Sequence, residues 1–120
     1  MNTDAREGGL LRWQWSLYPE GHRDRRNLAV HLATWPLFVG GTCALAASPV
    51  LGAVFALGGL AGVVTAVLAQ GRGHKLEQAR PAPFRGPGDV AKRLFLEQWV
   101  TFPRYLVTGG FARAWSAAEK

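Results

Sequence analysis

The stretch "NLAVHLATWPLFVGGTCALAASPVLGAVFALGGLAGVVTAVLAQG", residues 27–71, contains no Asp, Glu, Lys or Arg. All 14 basic and all 8 acidic residues of the 120-residue chain lie on either side of it. One helix needs about 20 apolar residues to cross roughly 30 Å of hydrocarbon, so this run is long enough for two. The size is that of one domain, residues 1–120. Whole-chain mean hydropathy is close to zero because the polar ends cancel the apolar middle. Ala47-Ser48-Pro49 divides the run, since proline removes a backbone donor and favours a turn. The expected architecture is an all-α membrane protein: a transmembrane helical hairpin over 31–70, flanked by interfacial amphipathic helices. Small residues at Gly52, Ala56, Gly59, Ala61 and Gly62 let two helix backbones approach closely, although glycine and alanine are also simply common in such segments.

Orientation follows from the flanks. Arg12, Arg23, Arg25 and Arg26 precede the run, Arg72, Lys75, Arg80 and Arg85 follow it, and the turn between the halves is uncharged. Basic residues are retained on the cytoplasmic side, so the chain is expected to be integral to the membrane with both termini cytoplasmic. The formal net charge of +6 then reflects topology and attraction to anionic lipid headgroups. No nucleic acid is expected as a partner, because the basic residues flank apolar segments without an interleaved aromatic platform. Arg25-Arg26 ahead of an apolar run, with Ala44-Leu45-Ala46 behind it, imitates a cleavable export signal. The long acid-containing leader and the second apolar segment favour an uncleaved hairpin instead. The single cysteine, Cys43, sits inside the first span and reads as a small apolar residue.

The ends divide further. Residues 1–9 form a flexible, glycine-containing N-terminus, and 10–30 an interfacial segment in which Trp13 and Trp15 suit an anchor between apolar and polar media. Residues 71–120 begin as a loop, "RPAPFRGPG" at 80–88, and continue as an amphipathic helix. In that helix Ala91, Phe95, Trp99 and Phe102 form a stripe, Asp89 is the expected N-cap, Arg93 and Glu97 pair at i, i+4, and Pro103 marks a bend or an end. The same stripe would serve a helix packed on its own protein.

A chain that crosses and returns brings His31, at the start of the first span, and His74, just past the second, to one boundary. His22 precedes the first span on that side, and the chain has no fourth histidine. A lone interfacial histidine is ordinarily a hydrogen-bonding bystander; three on one rim, with Glu77 nearby, point to a metal site with His22, His31 and His74 as ligands. Gln70, His74 and Glu77 share a helical stripe, as do Asn27 and His31. Nine residues separate His22 from His31, which in one continuous helix would point them apart, so joint ligation requires a break between them.

At these residues the chain resembles the membrane family of the fungal 2-hydroxy-palmitate dioxygenase. Tyr18, His22, Asn27, His31 and Pro36 are followed by "AQGRGHKLEQARPAPF" at 69–84, with Gln70, Gly73, His74, Glu77, Pro81 and Ala82, and by "EQWVTFPRYLVTGG" at 97–110. The resemblance covers about residues 16–112. It implies an iron(II)-dependent dioxygenase, with Fe2+ held by His22, His31 and His74, that shortens 2-hydroxy fatty acids by one carbon within the membrane. Asp24 stands where asparagine is common in that family and Thr34 where glycine is usual. The fungal members carry more hydrophobic segments, so a homo-oligomer could be needed to complete a pocket.

Imidazoles suit non-haem iron, and three of them leave positions for the two oxygens of a 2-hydroxy acid and for dioxygen. Glu77 is open to three roles: ligand, general base, or a partner that orients His74. Asn27 and Gln70 complete the expected catalytic group, or else satisfy helix ends. Arg26, Lys75 and Arg80 are the candidates for the substrate carboxylate, and equally ordinary topology charges. Two alternatives stand beside the enzyme: a non-catalytic membrane scaffold or lipid-binding protein, and a haem protein ligated by two of the histidines.

Overall fold

A computed structural model describes residues 6–118, and among these all regular structure is helical. Helix α1 (Leu10–Leu17) runs into a single 3-10 turn, Tyr18–Gly21, and a short extended link leads to α2 (Arg25–Leu51). Asp24 caps α2 with β-region backbone angles and a side chain that accepts from the Arg26 amide at 2.8 Å. Helix α3 (Ala53–His74) follows after one residue. Both α2 and α3 are long and apolar enough to cross a membrane. They extend beyond the expected 31–70 segment at its basic ends.

The division between them falls at Gly52, not at Ala47-Ser48-Pro49. Pro49 lies inside α2 because its fixed φ suits a helix and only its missing N–H needs replacing. The carbonyl so deprived is that of Leu45, and the Ser48 hydroxyl donates to it at 2.8 Å. Gly52 ends the helix with φ 104°, a conformation open to glycine, and its amide donates to the Ser48 carbonyl at 2.8 Å.

Contacts between α2 and α3 run in opposite sequence directions: Leu37 lies on Gly62, Gly41 on Gly59, and Asn27 on Gly73. At the closest crossing no side chain separates the backbones. A Cβ on Gly41 would sit 2.7 Å from the Gly59 carbonyl oxygen, and one on Gly59 would sit 2.6 Å from that of Gly41. Such proximity maximises dispersion contact between the two backbones.

The C-terminal third wraps the His-bearing end of this pair. Helix α4 (Pro87–Leu96) passes through a wide π turn, Glu97–Thr101, into α5 (Phe102–Val107), and α6 (Gly110–Ala117) closes the described chain. In the π turn the Phe102 amide reaches five residues back to the Glu97 carbonyl, and Pro103, next in line, has no N–H with which to continue the ladder to Gln98. The Gln98 carbonyl accepts instead from the Trp35 indole at 2.6 Å, fastening the turn to α2. The Arg25 guanidinium donates to the Trp115 carbonyl at 2.8 Å and holds α6 against the start of α2. Tyr18, Leu28, Phe102 and Tyr105 form the small buried core between these parts.

Several sequence expectations change here. Residues 1–5 of the expected flexible N-terminus, and the last two residues of the C-terminal segment, lie outside the described residues. Arg6 is anchored: its guanidinium meets both carboxylate oxygens of Asp89, at 2.5 and 2.7 Å. Asp89 is therefore not the N-cap of α4, which begins at Pro87 behind Gly86. The Arg93–Glu97 pair does not form; Arg93 turns to Asp89 at 3.6 Å, and Glu97 faces the protein. Of the stripe Ala91, Phe95, Trp99 and Phe102, only Phe102 is buried, because the inward face is Gln98, Thr101, Phe102 and Tyr105. Trp13 packs on its own chain between the guanidinium groups of Arg6 and Arg93. Trp15 is half-buried, edge-on to Tyr105.

The glycine crossing makes a direct prediction. Gly59→Leu forces the two backbones apart and should lower unfolding free energy in detergent by roughly 1–3 kcal/mol or more, read by circular dichroism against temperature or denaturant. Gly58→Ala, where a Cβ meets nothing within 4 Å, should be neutral or stabilising by up to about 1 kcal/mol. Equal losses in both variants would show that the crossing is not tight.

Candidate metal centre

The break required between His22 and His31 exists. His22 closes the 3-10 turn with φ −136° and ψ 58°, and the chain re-enters helix only at Arg25. His22 thus approaches from the link, His31 from two turns into α2, and His74 from the last residue of α3. Their ring centroids are 4.7, 5.0 and 4.8 Å apart, with interplanar angles of 83, 81 and 81°. Three imidazoles meeting edge to face in this way aim nitrogen atoms at a common point.

The fourth member is Glu97, from the π turn. One donor atom from each of His22, His31, His74 and Glu97 lies within 4.8 Å of all the others. Glu97 Oε2 is 3.5 Å from His31 Nε2 and 3.8 Å from His22 Nε2, and it accepts from the Tyr18 hydroxyl at 2.9 Å. Sequence reasoning missed this residue by giving it to Arg93. The available signal was compositional: in "LFLEQWV", residues 94–100, an acid and an amide interrupt an otherwise apolar run.

Backbone carbonyls set the tautomers. His22 Nδ1 lies 2.8 Å from the Tyr18 carbonyl and His31 Nδ1 lies 3.0 Å from the Asn27 carbonyl. A carbonyl only accepts, so both Nδ1 atoms carry a proton, and in the neutral ring each Nε2 presents its lone pair inward. Those two Nε2 atoms are buried and have no hydrogen-bond partner. Orphaned acceptors of this kind are costly unless something binds them, and a cation is the natural occupant. The donor chemistry, three imidazoles and one carboxylate, fits a first-row divalent ion such as iron(II) or zinc.

Protonation agrees with that use. Burial, and after it the neighbouring His31 ring, pushes His22 well below the ordinary imidazole range, so it stands neutral. Burial works against the ionised form of Glu97, while positive charge among the imidazoles, chiefly at His31, works for it and holds the carboxyl below its usual range, so Glu97 is most firmly ionised when the cluster carries positive charge. Burial first, then the Glu97 charge, raises the Tyr18 hydroxyl well above its normal value and keeps it a donor.

The other expected site residues take different places. Glu77 is not in the cluster; its carboxylate accepts from the Arg23 and Asp24 amides and from Asn27 Nδ2. Asn27 is fully buried and also donates to the Gly21 carbonyl at 3.2 Å, so its side chain serves the backbone around His22. Gln70 pairs with Gln98: each side-chain amide donates to the other's oxygen, at 3.2 and 2.7 Å, and Gln70 also donates to the Thr34 hydroxyl at 3.0 Å. Both amides of that pair are satisfied within the fold, which makes Gln70 a tie between α3 and the π turn. Arg26 is exposed and bound to its neighbour Asp24 at 2.8 Å, and Lys75 and Arg80 are also exposed. None of these three charges belongs to the cluster.

No family model matches this chain, and comparison with curated proteins and with solved structures likewise finds no match.

The glutamine pair can be tested as a cycle. Gln70→Leu strands the buried amide of Gln98 and should cost about 1–3 kcal/mol of stability in detergent, and Gln98→Leu should do the same. The double variant should lose less than the sum of the two, because both unmet partners disappear together. Strict additivity would mean that the amides do not act as a pair.

Proposed function

We propose that this protein is an integral membrane, iron(II)-dependent dioxygenase that shortens 2-hydroxy fatty acids by one carbon. The observation that carries the reading is the meeting of His22, His31, His74 and Glu97 around two buried, unpartnered imidazole nitrogens. The resemblance to the fungal 2-hydroxy-palmitate dioxygenase family supplies the metal and the substrate class. In this reading α2 and α3 form a transmembrane hairpin, with α1 and α4–α6 lying at the interface and both termini cytoplasmic. Exposure along the pair supports that arrangement. Val50, Val54 and Leu57, around the Gly52 turn, are 88, 80 and 69% exposed, an arrangement that water penalises and lipid does not. Arg23, Arg25, Arg26, Arg72 and Lys75 gather at the opposite end, beside the histidines.

That placement suits the substrate. A fatty acid keeps its carboxylate at the interface and its chain in lipid, which brings carbon 2 to the depth of the His cluster. His22, His31 and His74 would hold the metal through Nε2 in the first two cases, with Nδ1 of each tied to the backbone. Bound iron(II) supplies the electron transfer that lets dioxygen react with the substrate. Glu97, an ionised carboxylate beside the imidazoles, is the group placed to take the proton of the 2-hydroxyl. Tyr18 holds that carboxylate in position and, as a donor only, does not compete for the proton. The stoichiometry closes without a further reductant: one 2-hydroxy acid and one dioxygen give the acid one carbon shorter, carbon dioxide and water. Four electrons pass from carbons 1 and 2 to dioxygen.

Detergent-purified protein should contain about one iron per chain after anaerobic loading, lose it in His74→Ala, and consume one dioxygen per 2-hydroxy acid shortened. Glu97→Gln should cut turnover by about 100-fold or more. Tight zinc with no turnover of any 2-hydroxy acid would replace the oxygenase with a structural metal site. A Soret band in the purified protein would replace it with a haem protein, and absence of any bound metal with a scaffold.

A further inference from the structure

Glu77 lies three residues after His74, and its own amide donates to the His74 carbonyl at 3.2 Å. Its carboxylate reaches across to the start of α2. Oε1 accepts from the Arg23 amide at 2.9 Å, the Asp24 amide is shared between the two oxygens at 3.1 and 3.0 Å, and Oε2 accepts from Asn27 Nδ2 at 2.8 Å. Each donor adjoins a ligand. Arg23 is the residue after His22; Asn27 Nδ2 also holds the carbonyl of Gly21, the residue before it. The Asn27 carbonyl is the acceptor for His31 Nδ1.

The geometry points to Glu77 as the positioning residue that sets the three imidazoles relative to one another. One carboxylate joins the chain just past α3, the His22 link and the first turn of α2: His74 ends the first of these segments, His22 opens the second, and Asn27 of the third holds His31 Nδ1 through its carbonyl. Gly73 belongs to the same device. A Cβ there would press on Asn27 Oδ1 and displace the side chain, so glycine leaves Asn27 its place between Glu77 and the histidine backbone. Glu77 touches neither the metal nor the substrate in this role, and the inference rests on the metal reading above.

The test is titration of the full-length protein in detergent with cobalt(II) alone, followed through its ligand-field absorption, for wild type, Glu77→Gln, Glu77→Ala and His74→Ala. Glu77→Gln keeps the size of the side chain but turns one acceptor into a donor that faces Asn27 Nδ2 or the amides. Glu77→Gln and Glu77→Ala should bind cobalt about 10- to 100-fold more weakly, with a changed absorption at saturation and wild-type helix content by circular dichroism. Wild-type affinity and spectrum in both variants would overturn the role. So would weaker binding with an unchanged spectrum at saturation, which is the signature of a general loss of stability. Failure of the metal reading itself is separate: wild type would then bind no cobalt, or His74→Ala would titrate like wild type. Should Glu77→Ala not fold, the isosteric Glu77→Gln decides the matter alone.

Discussion

The close approach of α2 and α3 is the constraint on which everything else depends. Two helices that touch through Gly41 and Gly59 hold their axes as near as backbones allow, and the contact continues to Gly73 and Asn27 at the far end. Only at that spacing do His31 and His74, on different helices, bring their rings to 4.8 Å. Larger residues along the seam would move the rings apart before altering anything near them. The glycines thus act on the site from a distance, as a choice of helix separation, and this is why small residues recur along the seam while bulky ones fill the outer faces.

Convergence of three histidines from such distant positions is also an electrostatic problem. Protonated, the rings would repel one another and lose solvation; neutral, they leave lone pairs without partners. The chain resolves half of this by giving Nδ1 of His22 and of His31 to backbone carbonyls, which fixes the neutral tautomer and turns Nε2 inward. Glu97 then contributes a negative charge to a place otherwise made of acceptors. Two inward Nε2 lone pairs without partners, beside a carboxylate whose one donor is the Tyr18 hydroxyl, favour a cation among them.

How much of this was legible in the sequence depends on the range of the interaction. The uncharged run at 27–71 showed two long helices, and a chain that doubles back puts His31 and His74 at one end whatever the details of packing. The turn was displaced by one short stretch because a serine hydroxyl can replace the hydrogen bond that a proline removes, a substitution invisible to a rule about proline alone. Glu97 was hidden for a different reason. Its spacing from Arg93 matches a surface ion pair, and only the third-dimensional fact that Asp89 already engages both Arg6 and Arg93 frees it to turn inward. Gln70 and Asn27 share helical stripes with histidines, but sharing a stripe says nothing about what the facing element supplies; Gln98 and Glu77 came from segments far along the chain.

Division of labour between the two acids follows from how each is solvated. Glu77 accepts from three donors, the Arg23 amide, the Asp24 amide shared between its two oxygens, and Asn27 Nδ2, so both its oxygens are occupied and it has little left to give a ligand. Glu97 receives one from Tyr18 and otherwise faces imidazole nitrogens that cannot donate. A carboxylate with saturated oxygens is a structural anion; one with open lone pairs in a dry, acceptor-lined cleft is a ligand or a base. Proximity to a histidine in sequence pointed to the first of these acids, whereas free coordination capacity singles out the second.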